Sequence, residues 1–235
     1  MSIRTSLFRG LYRALGIKKL FALPEDEILK VIAKQNRNRG FYMPTDHKAF
    51  YEKEVICGSL CLLVRQYQEP SRRAILFFFG GGMVIGPDKG DIPVLRKLCF
   101  GTGCDIWFPC YPLCTDHCIT ETYEMAFECY RQMVALYGGG NVSTCGFSSG
   151  GTLALGVAAH NSALGAPLPQ PRHIVAVAPG EVLYGALPEF EDACRRANVP
   201  YTVFARPGMV HCYCMLPYFP EAREDFNKIV EILKK

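Results

Sequence analysis

The sequence predicts one α/β domain, and three observations carry that expectation. From about residue 50 to the end, short apolar runs of strand length alternate with stretches of helical spacing. The run Ala74-Ile75-Leu76-Phe77-Phe78-Phe79 reads as a strand buried on both faces and ends in Gly80-Gly81-Gly82-Met83. A β-branched run at 141–145 enters Gly146-Phe147-Ser148-Ser149-Gly150-Gly151 and leaves it as an apolar helical pattern at 152–164. With 235 residues and 49% hydrophobic content, the chain is long enough to bury one sizeable core.

The elements follow in order. Ile3, Leu7, Phe8, Leu11 and Leu15 fall on one helical face with arginines opposite. Such a face packs on its own protein, lies on a membrane or serves as a transit peptide, and packing is the expectation here. A second helix opens at Pro24-Glu25-Asp26-Glu27 and runs to about Asn36. Residues 55–59 and 61–67 read as antiparallel leading strands, 74–79 enters the core, and 105–109 is the next buried strand. Tyr123, Ala126, Phe127, Tyr130, Met133, Val134 and Tyr137 keep helical spacing over 122–137, and Gly138-Gly139-Gly140 ends that helix. Beyond the helix at 152–164, the pattern gives a strand at 174–178, a helix at 187–198, a strand at 201–205 and a closing helix at 221–233.

Composition narrows the class. The formal net charge is +4, and no basic stripe interleaved with aromatics follows residue 23, so nothing calls for nucleic acid. No apolar run reaches the roughly 18 residues of a membrane span, and basic residues scattered through the first twenty argue against a secretory signal. The expectation is a soluble, unexported protein with no stable membrane insertion. Twelve cysteines, several in apolar elements (Cys57, Cys61, Cys104, Cys129, Cys145, Cys194), suit a reducing interior and point to a cytoplasmic, bacterial protein. The run Cys110-x3-Cys114-x2-His117-Cys118 has the donors for zinc but not the paired spacing of zinc sites. Its preferred reading is a loop whose Asp116 and His117 tie backbone in place. Cys212 and Cys214 read as packing residues pointing the same way from a strand.

The chemistry centres on Ser148. A serine between a strand and a helix, flanked by glycines, meets the requirements of a nucleophile elbow, a strained turn that lifts the hydroxyl above the sheet. The Gly80–Gly82 segment can turn backbone N–H groups outward to stabilise an oxyanion, together with the N–H of Ser149. Among the histidines, His47, His117, His160, His173 and His211, only His211 lies in a loop after the last predicted strand and before the closing helix. It is the candidate base.

These segments also carry a resemblance. ILFFFGGGMVIG at 75–86, YPLCTDH at 111–117, Gly146 to Gly151, and Pro207-Gly208-Met209-Val210-His211 occur in the order found in the hormone-sensitive-lipase-like carboxylesterases of the α/β-hydrolase fold. The resemblance covers about residues 50 to 235. It implies a mostly parallel central sheet flanked by helices, with a small N-terminal helical cap at 1–45 and the catalytic domain at 46–235. It also implies a triad of Ser148, Glu181 and His211, with Glu181-Val182-Leu183 standing where the family has D-P-L. The oxyanion donors are then Gly81, Gly82 and Ser149. The implied activity is acyl-enzyme hydrolysis of an ester with neither cofactor nor metal. Apolar surroundings (Met83, Val84, Met209, Met215, Leu216) suit small uncharged esters. A homodimer is left open.

Two departures qualify the resemblance. Phe79 stands where the family's glycine loop begins with His, which predicts a softer loop. Only 33 residues separate Ser148 from Glu181, with room for the strand at 174–178 alone where the family has two strands and part of the cap. The chain thus reads as a shortened hydrolase in which the acid has moved to the end of an earlier strand or the triad is incomplete. An amidase or peptidase, and a non-catalytic binding protein on the same scaffold, remain the alternatives.

Overall fold

The buried apolar runs occupy the centre of the sheet. The computed structural model describes residues 23–39, 41, 43–177, 187–196, 200–204, 212–215 and 219–235. Six strands form one sheet in the order β1-β2-β4-β3-β5-β6. They are β1 (Phe50–Ile56), β2 (Ser59–Arg65), β3 (Ala74–Phe78), β4 (Asp105–Pro109), β5 (Val142–Phe147) and β6 (Ile174–Val177). β1 and β2 pair antiparallel, as do β2 and β4, while β4, β3, β5 and β6 run parallel. Every residue of β3, β4 and β5 is buried, as continuous apolar strands inside a parallel sheet must be. Phe77 sits between Phe108 and Phe147, with ring centroids 5.9 and 5.2 Å away.

The helices are α1 (Glu25–Arg39), α2 (Ile92–Thr102), α3 (Ile119–Tyr137), α4 (Ser149–Ala163), α5 (Leu187–Arg196) and α6 (Pro220–Lys234). The chain divides into two compact units, one of Leu23–Val177 with Ile229–Lys235 and one of Met1–Ala22 with Ala178–Lys228. The first holds the sheet. In the second, Phe219 and Ala222 are buried with Tyr213 packed against them, and the Tyr213 hydroxyl donates to Asp225. Among the described residues no helix is long and apolar enough to cross a membrane.

Several expectations need correction. The first hairpin turns at Cys57-Gly58, with φ of 50° and 76°, so β1 ends before the predicted 55–59 strand would. A type I′ hairpin turn needs positive φ at both central positions, and cysteine is an unusual first residue for it. Cys57 is consequently exposed rather than buried, and Cys194 is half-buried. All twelve cysteines are free thiols. The sequence pattern does not announce helix α2, because Gly101 interrupts a short apolar periodicity. There a methyl group would stand 2.9 Å from Val230 Cγ1, so the glycine lets α2 approach α6 closely. Residues 201–204 form no strand, and Tyr213–Met215, beside Cys212, is a short 3-10 turn. The residues before 23, and 178 in the predicted strand at 174–178, lie outside the described set.

A polar cluster pins the amino end of β4. Asp105 Oδ2 accepts from the Ser71 N–H at 3.0 Å and the Tyr137 hydroxyl at 2.9 Å, and lies 3.5 Å from Arg65 Nε. Trp107 Nε1 donates to Tyr137 in turn, at 3.2 Å. Arg65 and Asp105 side chains are only 10% and 3% exposed, so removing either leaves a buried charge short of its partner. Asp105→Ala is expected to cost about 3 kcal/mol in urea denaturation, and an unchanged midpoint would contradict this account of the cluster.

Candidate active site

Three glycine contacts build the site from backbone. Gly146, inside β5, pairs with Phe78 of β3 and Ala176 of β6. A methyl group there would lie 2.0 Å from the Gly150 carbonyl oxygen. On Gly150 it would lie 2.3 and 2.4 Å from the Phe78 and Phe79 carbonyl oxygens, and on Gly80 it would lie 2.9 Å from Phe147 O and 3.0 Å from Ser148 Cβ. No side chain fits at these approaches, so the carboxyl ends of β3 and β5 touch backbone to backbone.

Ser148 sits at that junction with φ 56° and ψ −126°, a conformation that costs a non-glycine residue roughly 1–3 kcal/mol. It is held by its own backbone. The Ser148 N–H donates to Val177 O at 2.8 Å, and its carbonyl accepts the Gly151 N–H at 2.9 Å. Helix α4 begins at the next residue, Ser149, so the Ser149 N–H belongs to a first turn that lacks intrahelical acceptors. The Ser148 side chain is half-buried.

The glycine loop turns through three consecutive positive φ values, 130° at Gly81, 65° at Gly82 and 63° at Met83. Gly81 O accepts the N–H groups of Val84 and Ile85 at 3.1 and 2.9 Å, and Met83 O accepts the Cys114 N–H at 2.8 Å. Among the described residues, no carbonyl accepts the N–H of Gly81 or Gly82.

Phe79 does not leave this loop soft, contrary to expectation. Its ring stacks on Tyr111 at 4.0 Å and 3°, and the Tyr111 hydroxyl donates to the Phe79 carbonyl at 2.8 Å. Burial holds the Tyr111 phenol above its usual pKa. The sequence already displayed Tyr111 within YPLCTDH, but its role becomes visible only once the stack is formed.

The cysteine-rich loop is held by contacts other than those expected, because the Asp116 and His117 side chains meet neighbouring side chains rather than backbone. The N–H groups of Asp116 and His117 donate to Leu113 O at 3.1 and 3.0 Å. Their side chains stay local: Asp116 accepts from Thr115 at 2.8 Å, and His117 lies 3.0 Å from Glu121. Among the described residues no group of three or more His, Cys, Asp or Glu side chains could hold a metal. His47 and His160 are exposed, and burial lowers the pKa of His173. A cleft of about 620 Å³ beside α3, lined by Cys57, Tyr123, Phe127 and His160 among others, includes no predicted site residue.

Of the predicted site residues, the structure brings Ser148, Ser149, Gly81 and Gly82 to the carboxyl ends of β3 and β5. Glu181 and His211 lie outside the described residues. A family model described as alpha/beta hydrolase fold matches residues 75–233.

The chain belongs to the alpha/beta hydrolase fold family.

Solved structures agree with that assignment. An esterase/lipase from an uncultured bacterium is 16% identical with a TM-score of 0.81, covering 100% of this chain and 98% of that one. EstE5 soaked by p-nitrophenyl butyrate is 16% identical at a TM-score of 0.78, with the same 100% and 98% coverage. An esterase from the bacterial hormone-sensitive lipase family is 16% identical at 0.72, again covering 100% and 98%. At this identity the likeness is one of fold, the alpha/beta hydrolase fold. No curated protein matches the chain.

Two outcomes check the local geometry. Gly146→Ala is expected to lose more than about 3 kcal/mol or to fail to fold, whereas Gly82→Ala costs about 1–2 kcal/mol. The difference follows because a methyl on Gly82 meets only Val84 Cγ2, at 3.7 Å; equal losses in urea denaturation would contradict it. Hydrogen bonds from Thr120 hold the exposed Cys118 thiol below its usual pKa, while burial pushes Cys110 up to about 12. Iodoacetamide at about pH 7.5 should therefore alkylate Cys118 well before Cys110, and peptide mass spectrometry showing Cys110 first would overturn that ordering.

Proposed function

We propose that this alpha/beta hydrolase is a serine carboxylesterase acting on small uncharged esters through an acyl-enzyme. The observation that carries the reading is the placement of Ser148: a serine at φ 56° on a strand-to-helix turn, with the glycine loop abutting its Cβ. Ser148, Glu181 and His211 occur in the chain order that triads take in this fold.

In the proposed reaction His211 accepts the Ser148 hydroxyl proton as Oγ bonds to the ester carbonyl carbon. Glu181 orients the imidazole and supports its positive charge. The N–H groups of Gly81, Gly82 and Ser149 take the negative oxygen of the tetrahedral intermediate, an interaction of which one donor alone is worth about 10²- to 10³-fold in turnover. The carbon–oxygen bond to the alcohol then breaks, and the imidazolium proton goes to the leaving alkoxide. Water deprotonated by His211 attacks the acyl-enzyme and restores Ser148. No cofactor or metal enters these steps. Residues 1–45 are assigned as a cap over the acyl site, and twelve free thiols support a cytoplasmic setting.

The test is hydrolysis of p-nitrophenyl butyrate beside its matched anilide. The intact chain is expected to turn over the ester, and Ser148→Ala to lose roughly 10⁴-fold or more. Faster cleavage of the anilide would make the protein an amidase. Absence of any Ser148-dependent rate would leave a binding protein on a hydrolase scaffold.

A further inference from the structure

The turn that follows the three glycines is gripped by a side chain from far upstream. Near the end of α1, the Asn36 carboxamide donates through Nδ2 to the Val84 carbonyl at 2.8 Å and accepts the Gly86 N–H on Oδ1 at 3.1 Å. One backbone group is an acceptor and the other a donor, so a single orientation of the amide satisfies both. The two contacts bracket Ile85. The Ile85 N–H closes on Gly81 O at 2.9 Å, and its carbonyl oxygen stands 2.3 Å from where a Cβ on Gly81 would be. Any shift of residues 84–86 is therefore transmitted to Gly81 through backbone contact.

The remainder of the loop is fixed from the other side. Tyr111 holds the Phe79 carbonyl and Cys114 holds that of Met83, both at 2.8 Å. Gly81 and Gly82 lie between these anchors, in positive-φ conformations that glycine shares with many alternatives, so the anchors decide which one is kept. Nothing in the motifs marks Asn36 for this task. Its neighbours, Gln35-Asn36-Arg37-Asn38-Arg39, read as the polar end of a surface helix.

We propose that Asn36 is a positioning residue for the oxyanion loop, through which helix α1 sets the aim of the Gly81 and Gly82 N–H groups. The proposal rests on the carboxylesterase reading above. It makes α1 part of the catalytic scaffold as well as a cover. Because the oxyanion exists in the transition state and not in the bound ester, loss of the clamp acts on kcat and leaves KM nearly unchanged.

Two readouts on Asn36→Ala test it, with the exposed Asn38→Ala of the same helix as control. Amide hydrogen exchange should accelerate across residues 81–86 and stay unchanged elsewhere in the sheet. With p-nitrophenyl butyrate, kcat should fall by about tenfold, part of what loss of a whole donor costs, while KM stays within about twofold. Asn38→Ala should match the parent chain in both. Unaltered exchange at 81–86 would overturn the clamp, and faster exchange with unaltered kcat would overturn the positioning role. Faster exchange over the whole sheet, in Asn36→Ala and Asn36→Ser alike, would make the residue structural only and overturn the proposal as well. A parent chain without Ser148-dependent turnover defeats the esterase reading and the positioning role with it, while the exchange measurement still decides whether the clamp exists.

Discussion

Backbone-to-backbone approach at the carboxyl ends of β3 and β5 is the constraint on which the rest of the site depends. Gly146 against Gly150, Gly150 against the carbonyls of Phe78 and Phe79, and Gly80 against Phe147 are contacts closer than any Cβ allows. Their consequence is positional. With no side chains between them, the serine turn and the glycine loop are neighbours before any substrate arrives, so the strain at Ser148 is borne by hydrogen bonds from the sheet and from α4. Preorganisation of this kind is what electrostatic catalysis requires, since donors already in place need not reorganise as charge develops.

The two ends of the sheet divide the labour. At the amino end of β4, Asp105, Arg65, Tyr137, Trp107 and Ser71 form a buried polar cluster whose function is cohesion. At the carboxyl ends of β3 and β5 lie the open N–H groups, the strained serine and the loop held by Tyr111 and Cys114. Open α/β sheets bind their ligands outside the carboxyl ends of the strands, and the placement of strain here follows the same rule.

Much of this was legible in the sequence where one physical signal dominated. The Asp105–Pro109 strand, the apolar run before the glycines and the strand–serine–helix order are each dictated by burial or by glycine chemistry, and each stands where its residues predicted. What escaped were features set by partners distant in sequence. The turn at Cys57 lacks the usual asparagine or aspartate, α2 is masked by a glycine that serves its packing on α6, and the apolar pattern of 201–204 promised a strand that those residues do not form. Phe79 was legible as a departure but not as a solution, because its compensation is a stack with Tyr111. Asn36 gave no signal at all, being one polar residue among five at the end of a helix.

The central claim is that Ser148 is a nucleophile set beside preorganised oxyanion donors, and covalent trapping tests it most directly. A fluorophosphonate phosphonylates an activated serine far faster than an ordinary one. The account predicts a single adduct per chain, located by peptide mass spectrometry on Ser148 and absent after thermal unfolding of the protein. An unmodified chain, or an adduct on any other residue, would contradict it.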